Sequence, residues 1–123
     1  MKRLLFIACA VLVTLLPVRA FAQPTHVDSP KATIFVTQDL NVGAVTLLPG
    51  EYKFQCRMFD HKTFLVVTSA ENGKEIVRVP CVREKLDAKV ADSEFRALTG
   101  RDGSKQLTSV RIKGEVVAHR LLD

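Results

Sequence analysis

From Tyr52 to Met58 the chain alternates without a lapse. Tyr52, Phe54, Cys56 and Met58 fall on one side, and Lys53, Gln55 and Arg57 on the other. A period of two residues is the period of a half-buried β-strand and fits no helix. The same pattern returns along the chain in runs of 4–8 residues, separated by Gly, Pro, Asn and Asp. Lys31–Leu40 carries Ile34, Phe35 and Val36 consecutively, which predicts a strand buried on both faces. Asn41–Leu47 reads as a turn into a short strand, with Gly43 at a bulge or a close approach. Pro49-Gly50 suits a type II turn, with Pro presetting φ and Gly taking the positive φ that follows. Phe59-Asp60-His61-Lys62 is the next turn, followed by a buried strand over residues 63–69. Asn72-Gly73 then signals a hairpin into residues 75–83. Pro80 cannot donate a ladder hydrogen bond, so its strand should be an edge strand or be bulged there. Residues 83–92 read as strand or extended loop, with a short helix as the alternative. Residues 93–99, 105–112 and 115–122 complete the set.

Seven or eight short strands at this spacing predict an all-β fold, an antiparallel sandwich or a small, partly open barrel. The first 22 residues are of another kind. Lys2 and Arg3 precede an apolar run from Leu4 to Leu16, Pro17 follows, and Ala20-Phe21-Ala22 supplies small residues before Gln23. The run is shorter than the roughly 20 residues of a stable membrane span, and the layout is that of a cleaved secretory signal. The domain plan is therefore a signal peptide at 1–22, a flexible tail at 23–30 and a single β domain at 31–123. The product should be exported, to the periplasm or beyond the cell, with no stable membrane span after cleavage.

Removing Lys2, Arg3 and Arg19 leaves 15 basic against 13 acidic residues, a net charge of +2 rather than +5. Without a dense Lys/Arg run or any Trp, counterion release has little to act on, so nucleic acid is not an expected partner.

Cys9 leaves with the signal, and Cys56 and Cys81 remain. An even pair in an oxidising compartment predicts a disulfide, with two free buried thiols as the alternative, and both residues lie in phase with apolar neighbours. A closed loop of 25 residues would contribute about 3.5 kcal/mol in the chain-entropy model. The absence of a C-x-x-C pair argues against a redox or metal role for them.

Catalytic motifs are absent from the sequence. There is no G-x-S-x-G, H-E-x-x-H, P-loop or dinucleotide fingerprint. The three histidines are scattered, and neither a cofactor nor a metal is expected. His119 lies in phase with Val117 and Leu121 and reads as a core or rim residue. Asp60 and His61 in their turn, with Arg78, Arg83 and Arg96 on a basic strand face, are the candidate ligand-binding residues. The same alternation of Arg and Lys with apolar residues also fits a solvated face that discourages aggregation.

Val42-Gly43 followed by Leu48-Pro49-Gly50-Glu51-Tyr52 resembles a group of small secreted bacterial β proteins. These share a signal peptide, a pattern near F-x-V-G-x-x-x-L-P-A-G-x-Y and Gly-turned hairpins to the C-terminus. Here the Ala between Pro49 and Gly50 is missing, and the spacing after Gly43 differs. The resemblance implies export and a β fold, and it brings no catalytic residues. The leading expectation is a non-catalytic module that binds a protein, glycan or envelope component, or supports the envelope. One alternative is a small hydrolase or metal-dependent enzyme using Asp60, His61 and His119. A second is a carrier of an apolar ligand.

Overall fold

The computed structural model describes residues 28–122. The expected signal peptide, with Cys9 and the cleavage site, and the tail as far as residue 27 lie outside the described residues. Nine strands follow in chain order: β1 (Ala32–Val36), β2 (Leu40–Val42), β3 (Val45–Leu47), β4 (Gly50–Phe59), β5 (Lys62–Ser69), β6 (Glu75–Lys85), β7 (Glu94–Thr99), β8 (Lys105–Arg111) and β9 (Val117–Leu121). The fold is all-β, and among the described residues there is no helix. No described helix is therefore long and apolar enough to cross a membrane.

The strands form one open sheet in the order β1-β4-β5-β6-β9-β8-β2-β3, with β7 paired to β8 off that path. The ladders are antiparallel except a short parallel one, Leu40 and Asn41 of β2 beside Lys105 and Gln106 of β8. β6 joins the two halves. Its first part pairs with β5 as far as Phe64↔Pro80, and its second pairs with β9 from Cys81↔Leu121 onward. Pro80 stands at that changeover. Its missing N–H costs least where one ladder ends and the next begins, so no bulge is needed at Pro80 itself. The irregularity lies elsewhere, between Val67 and Thr68.

Residues from both ends of the strand order meet in one core. Val36 of β1, Val42 of β2, Phe54 of β4, Leu65 of β5, Leu107 and Val110 of β8 and Leu121 of β9 belong to a single buried cluster. Gly43 shows how closely the β2–β3 end of the order approaches its middle. A Cβ there would come within 3.2 Å of Val79 Cγ2 on β6, and its φ is +59°. The turn between β2 and β3 thus needs Gly both for space and for left-handed backbone.

Several local expectations are corrected. β1 is one-sided: Ala32, Ile34 and Val36 are buried while Phe35 is 65% exposed. Only one face of that strand meets the core, so consecutive apolar residues were a misleading sign. Gly50 opens β4 with φ 159°, far from the roughly +80° of a type II turn. The corner is closed instead by the Tyr52 hydroxyl, which donates to the Leu48 carbonyl at 2.5 Å. The Asn72-Gly73 hairpin forms, but through a longer loop. Ser69 N–H donates to Lys74 O, and Asn72 Oδ1 accepts from Lys74 N–H. Residues 83–85 end β6, and 86–93 are loop. Asp28 and Ser29, within the expected flexible tail, are tied to β4: Ser29 Oγ accepts from Cys56 N–H at 2.8 Å, and Asp28 Oδ1 accepts from Met58 N–H.

The predicted disulfide is also corrected. Cys56 and Cys81 are free thiols with their sulfurs 4.0 Å apart, against about 2.05 Å for an S–S bond. The inference from phase was sound, since both side chains are buried and face each other. What does not follow from phase is that neighbouring thiols are bonded.

Candidate functional site

Two places carry chemistry, one on the outer face of the sheet and one inside it.

The outer site is at the β4–β5 turn. Phe59 pairs with Lys62, leaving Asp60 and His61 as a two-residue hairpin loop. Both have positive φ, 47° and 63°. That is the type I′ geometry the strand twist prefers, held here by residue types that tolerate it better than most non-Gly residues. Both side chains are exposed. Behind them, the Arg78 guanidinium lies 3.8 Å from the Phe59 ring centre and that of Arg57 lies 5.0 Å away. Phe64 meets Phe59 edge-on. Glu75 holds Arg78 through two hydrogen bonds, and Asp28 pairs with Arg57 at 3.3 Å. The result is a charge-balanced platform with a ring between two guanidiniums. Cation–π contacts in such partly exposed positions contribute about 0.5–1 kcal/mol.

The five candidate binding residues do not share one face. Asp60, His61 and Arg78 gather at this platform. Arg83 is five residues beyond Arg78 on β6, hence on the opposite side, in phase with Val79 and Cys81. Arg96 is on β7, opposite Ser109 of β8. The even-and-odd spacing of these arginines was the signal that a single basic face would not form.

The inner site is assembled by β4, β6 and β9. Cys56 (β4), Cys81 (β6) and His119 (β9) are all buried, and one donor atom from each lies within 4.8 Å of the others. Asp60 and His61 belong to no such group among the described residues. The Asp60–His61–His119 constellation therefore does not assemble: two members are exposed at a turn, and the third is fully buried. His119 Nε2 is 2.7 Å from Glu115 Oε1, in the turn before β9. His119 Nδ1 is buried with no hydrogen-bond partner. With Nε2 committed to Glu115, Nδ1 is the nitrogen left for the sulfurs. Arg83 stands opposite His119 in the β6–β9 ladder.

The electrostatics separate the two thiols. The hydrogen bond from Cys81 pulls the Cys56 pKa well below the ordinary thiol range; burial opposes this, and His119 and Arg83 reinforce it. Cys81, as the donor, is pushed far up by that same bond and by burial. Burial pulls His119 down, but the neighbouring Cys56 sulfur and the hydrogen bond to Glu115 outweigh it, so its pKa lies above the ordinary imidazole value. The two shifts run in opposite senses, Cys56 toward thiolate and His119 toward imidazolium, with Glu115 orienting the ring.

In order, this is nucleophile, base and orienting carboxylate. Cys56 and His119 are both 0% exposed, so no substrate reaches them. The sequence pointed to each of the three residues separately. It did not show that a strand beginning 36 residues after Cys81 would lay His119 over the thiols. Comparison of the chain with protein-family models, with characterised proteins and with solved structures finds no match.

Proposed function

We propose that the chain is an exported, non-catalytic β module that binds a protein, glycan or other component of the cell envelope. The observation that carries this reading is the partly exposed Arg57–Phe59–Arg78 platform beside the Asp60-His61 turn. It offers two fixed guanidiniums packed on a half-buried ring, beside the two exposed polar side chains of the turn. Such a surface suits a partner with both flat apolar and polar groups. The fold that carries it is best described as a partly open barrel. In support, β6 shares its length between two ladders, and the strands at the two ends of the order feed one core. The Leu48-Pro49-Gly50-Glu51-Tyr52 resemblance and the N-terminal charge and hydropathy pattern support export.

The enzyme reading needs Asp60, His61 and His119 together, and their separation argues against it. The apolar-carrier reading needs an interior cavity. One cleft of about 510 Å³, lined by Leu86, Lys89, Val90, Asp92, Glu94 and Arg111, is instead an open groove.

Cross-linking the chain in envelope preparations of its native cell tests the proposal. The wild-type chain should capture a discrete partner, and Phe59→Ala with Arg78→Ala should lose it while keeping the β circular-dichroism spectrum. Capture undiminished in the double variant would refute the platform as the binding surface. Export is checked by N-terminal sequencing, which should begin at Gln23.

A further inference from the structure

We propose that Cys56, Cys81 and His119 form a binding site for one thiophilic metal ion, Cu(I) in preference to Zn(II), with Glu115 orienting the imidazole. The site is separate from the outer platform, and neither depends on the other.

The donor set is the first argument. Two thiols and one imidazole, from three strands far apart in sequence, converge within 4.8 Å. The sulfurs are 4.0 Å apart. Two thiolates each about 2.3 Å from a shared ion, at an angle of about 120°, would be separated by about 4.0 Å. The site is thus already spaced for a trigonal ion, whereas a disulfide would require the sulfurs to close by about half that distance.

His119 is fully buried, and its Nδ1 has no partner. An unpartnered polar atom in a core costs about 1–3 kcal/mol, so its presence calls for a missing neighbour. Glu115 on the opposite ring nitrogen is the usual outer partner of a metal-bound imidazole; it fixes the ring and makes the ligating nitrogen more basic.

Charge and coordination number select the ion. Cu(I) with two thiolates and a neutral imidazole leaves one net negative charge, and the Arg83 cation acts on Cys56 and Cys81 through space. Binding requires both sulfurs as thiolates and His119 Nδ1 unprotonated, so whatever protons Cys56, Cys81 and the imidazole carry at those atoms leave to solvent, with no change of oxidation state. Zn(II) takes a fourth ligand, from the protein in structural sites or from water in open ones. No fourth His, Cys, Asp or Glu joins the cluster among the described residues, and both Cys56 and His119 are closed to solvent. A soft ion content with three donors fits that enclosure better.

The reduced chain would be titrated anaerobically with Cu(I) against a chromogenic chelator, and with Zn(II) in a parallel arm. The expected result is one Cu(I) per chain, held in competition with the chelator, with an X-ray absorption spectrum showing two sulfur ligands and one nitrogen. Cys81→Ser should abolish that stoichiometry. Glu115→Gln leaves all three donors in place and should weaken binding 10–100-fold without altering the fold. Because the spectrum is read on the wild-type chain, a Cys81→Ser variant that failed to fold would not rescue the proposal. Copper bound without sulfur, no ion retained by the folded reduced chain, or Glu115→Gln binding as tightly as wild type would overturn it. Zn(II) retained in preference to Cu(I) would overturn the choice of ion.

Discussion

Glu115 and His119 are joined at 2.7 Å across the turn that leads into β9, and this one contact decides which imidazole nitrogen faces the thiols. It also partners a ring that is otherwise enclosed by apolar strands. Glu115→Ala should therefore destabilise the fold by about 1–3 kcal/mol, the range for removing a partner from a buried polar group. Chemical denaturation followed by circular dichroism checks this. A loss under about 0.3 kcal/mol would mean that the bond is not made in solution.

Gly43 should resist substitution. Gly43→Ala forces a Cβ to 3.2 Å from Val79 Cγ2 and places a side chain at φ +59°. Left-handed backbone costs about 1–2 kcal/mol for a residue with a Cβ, and the contact adds to it. The midpoint of urea denaturation should fall accordingly. Gly73, whose surroundings are open, supplies the control: Gly73→Ala should show the backbone cost alone.

The opposite outcome is expected at the β4–β5 turn. Asp60 and His61 occupy the left-handed region without being Gly. His61→Gly should stabilise the hairpin by up to about 1 kcal/mol, and a lower melting temperature would contradict the I′ assignment. If the turn also serves the platform, the same variant should bind its partner less well while being more stable.

These positions show what the sequence could and could not carry. The β class, the alternation of β4, the FDHK turn and the inward phase of both cysteines are local properties, and local pattern revealed them. The one-sided burial of β1 is not local, because it depends on what covers Phe35. Nor is the meeting of Cys81, Arg83 and His119, which is set by the β6–β9 register, a pairing across some 36 residues. Asn72-Gly73 marked the right hairpin but not its loop length, since side-chain bonds from Asn72 and Ser69 stabilise the wider turn. The disulfide was preferred to two free buried thiols because phase reports which way a side chain points and not the bond it makes.

A pH effect is expected at the Gly100–Ser104 turn. Asp102 Oδ1 accepts from the Ser104 hydroxyl at 2.6 Å and from its backbone N–H at 3.0 Å. These bonds hold the Asp102 pKa below its ordinary value. A depressed carboxyl pKa stabilises the fold above the unfolded-state value, and that contribution is lost as pH falls through the folded one. NMR titration should place Asp102 among the lower carboxylates. Ser104→Ala should raise it, and an unchanged pKa would show that the hydroxyl plays no part.

Two unbonded thiols, Cys56 and Cys81, are enclosed beside the His119 imidazole. Thiol labelling of chain purified without reductant, mapped to Cys56 and Cys81 by mass spectrometry, tests this most directly. Both should be unreactive in the folded protein, where they are 0% and 4% exposed, and both should be labelled once it is unfolded. A Cys56–Cys81 peptide pair lighter by two hydrogens and unlabelled in denaturant, or both thiols labelled at once in the native state, would contradict it.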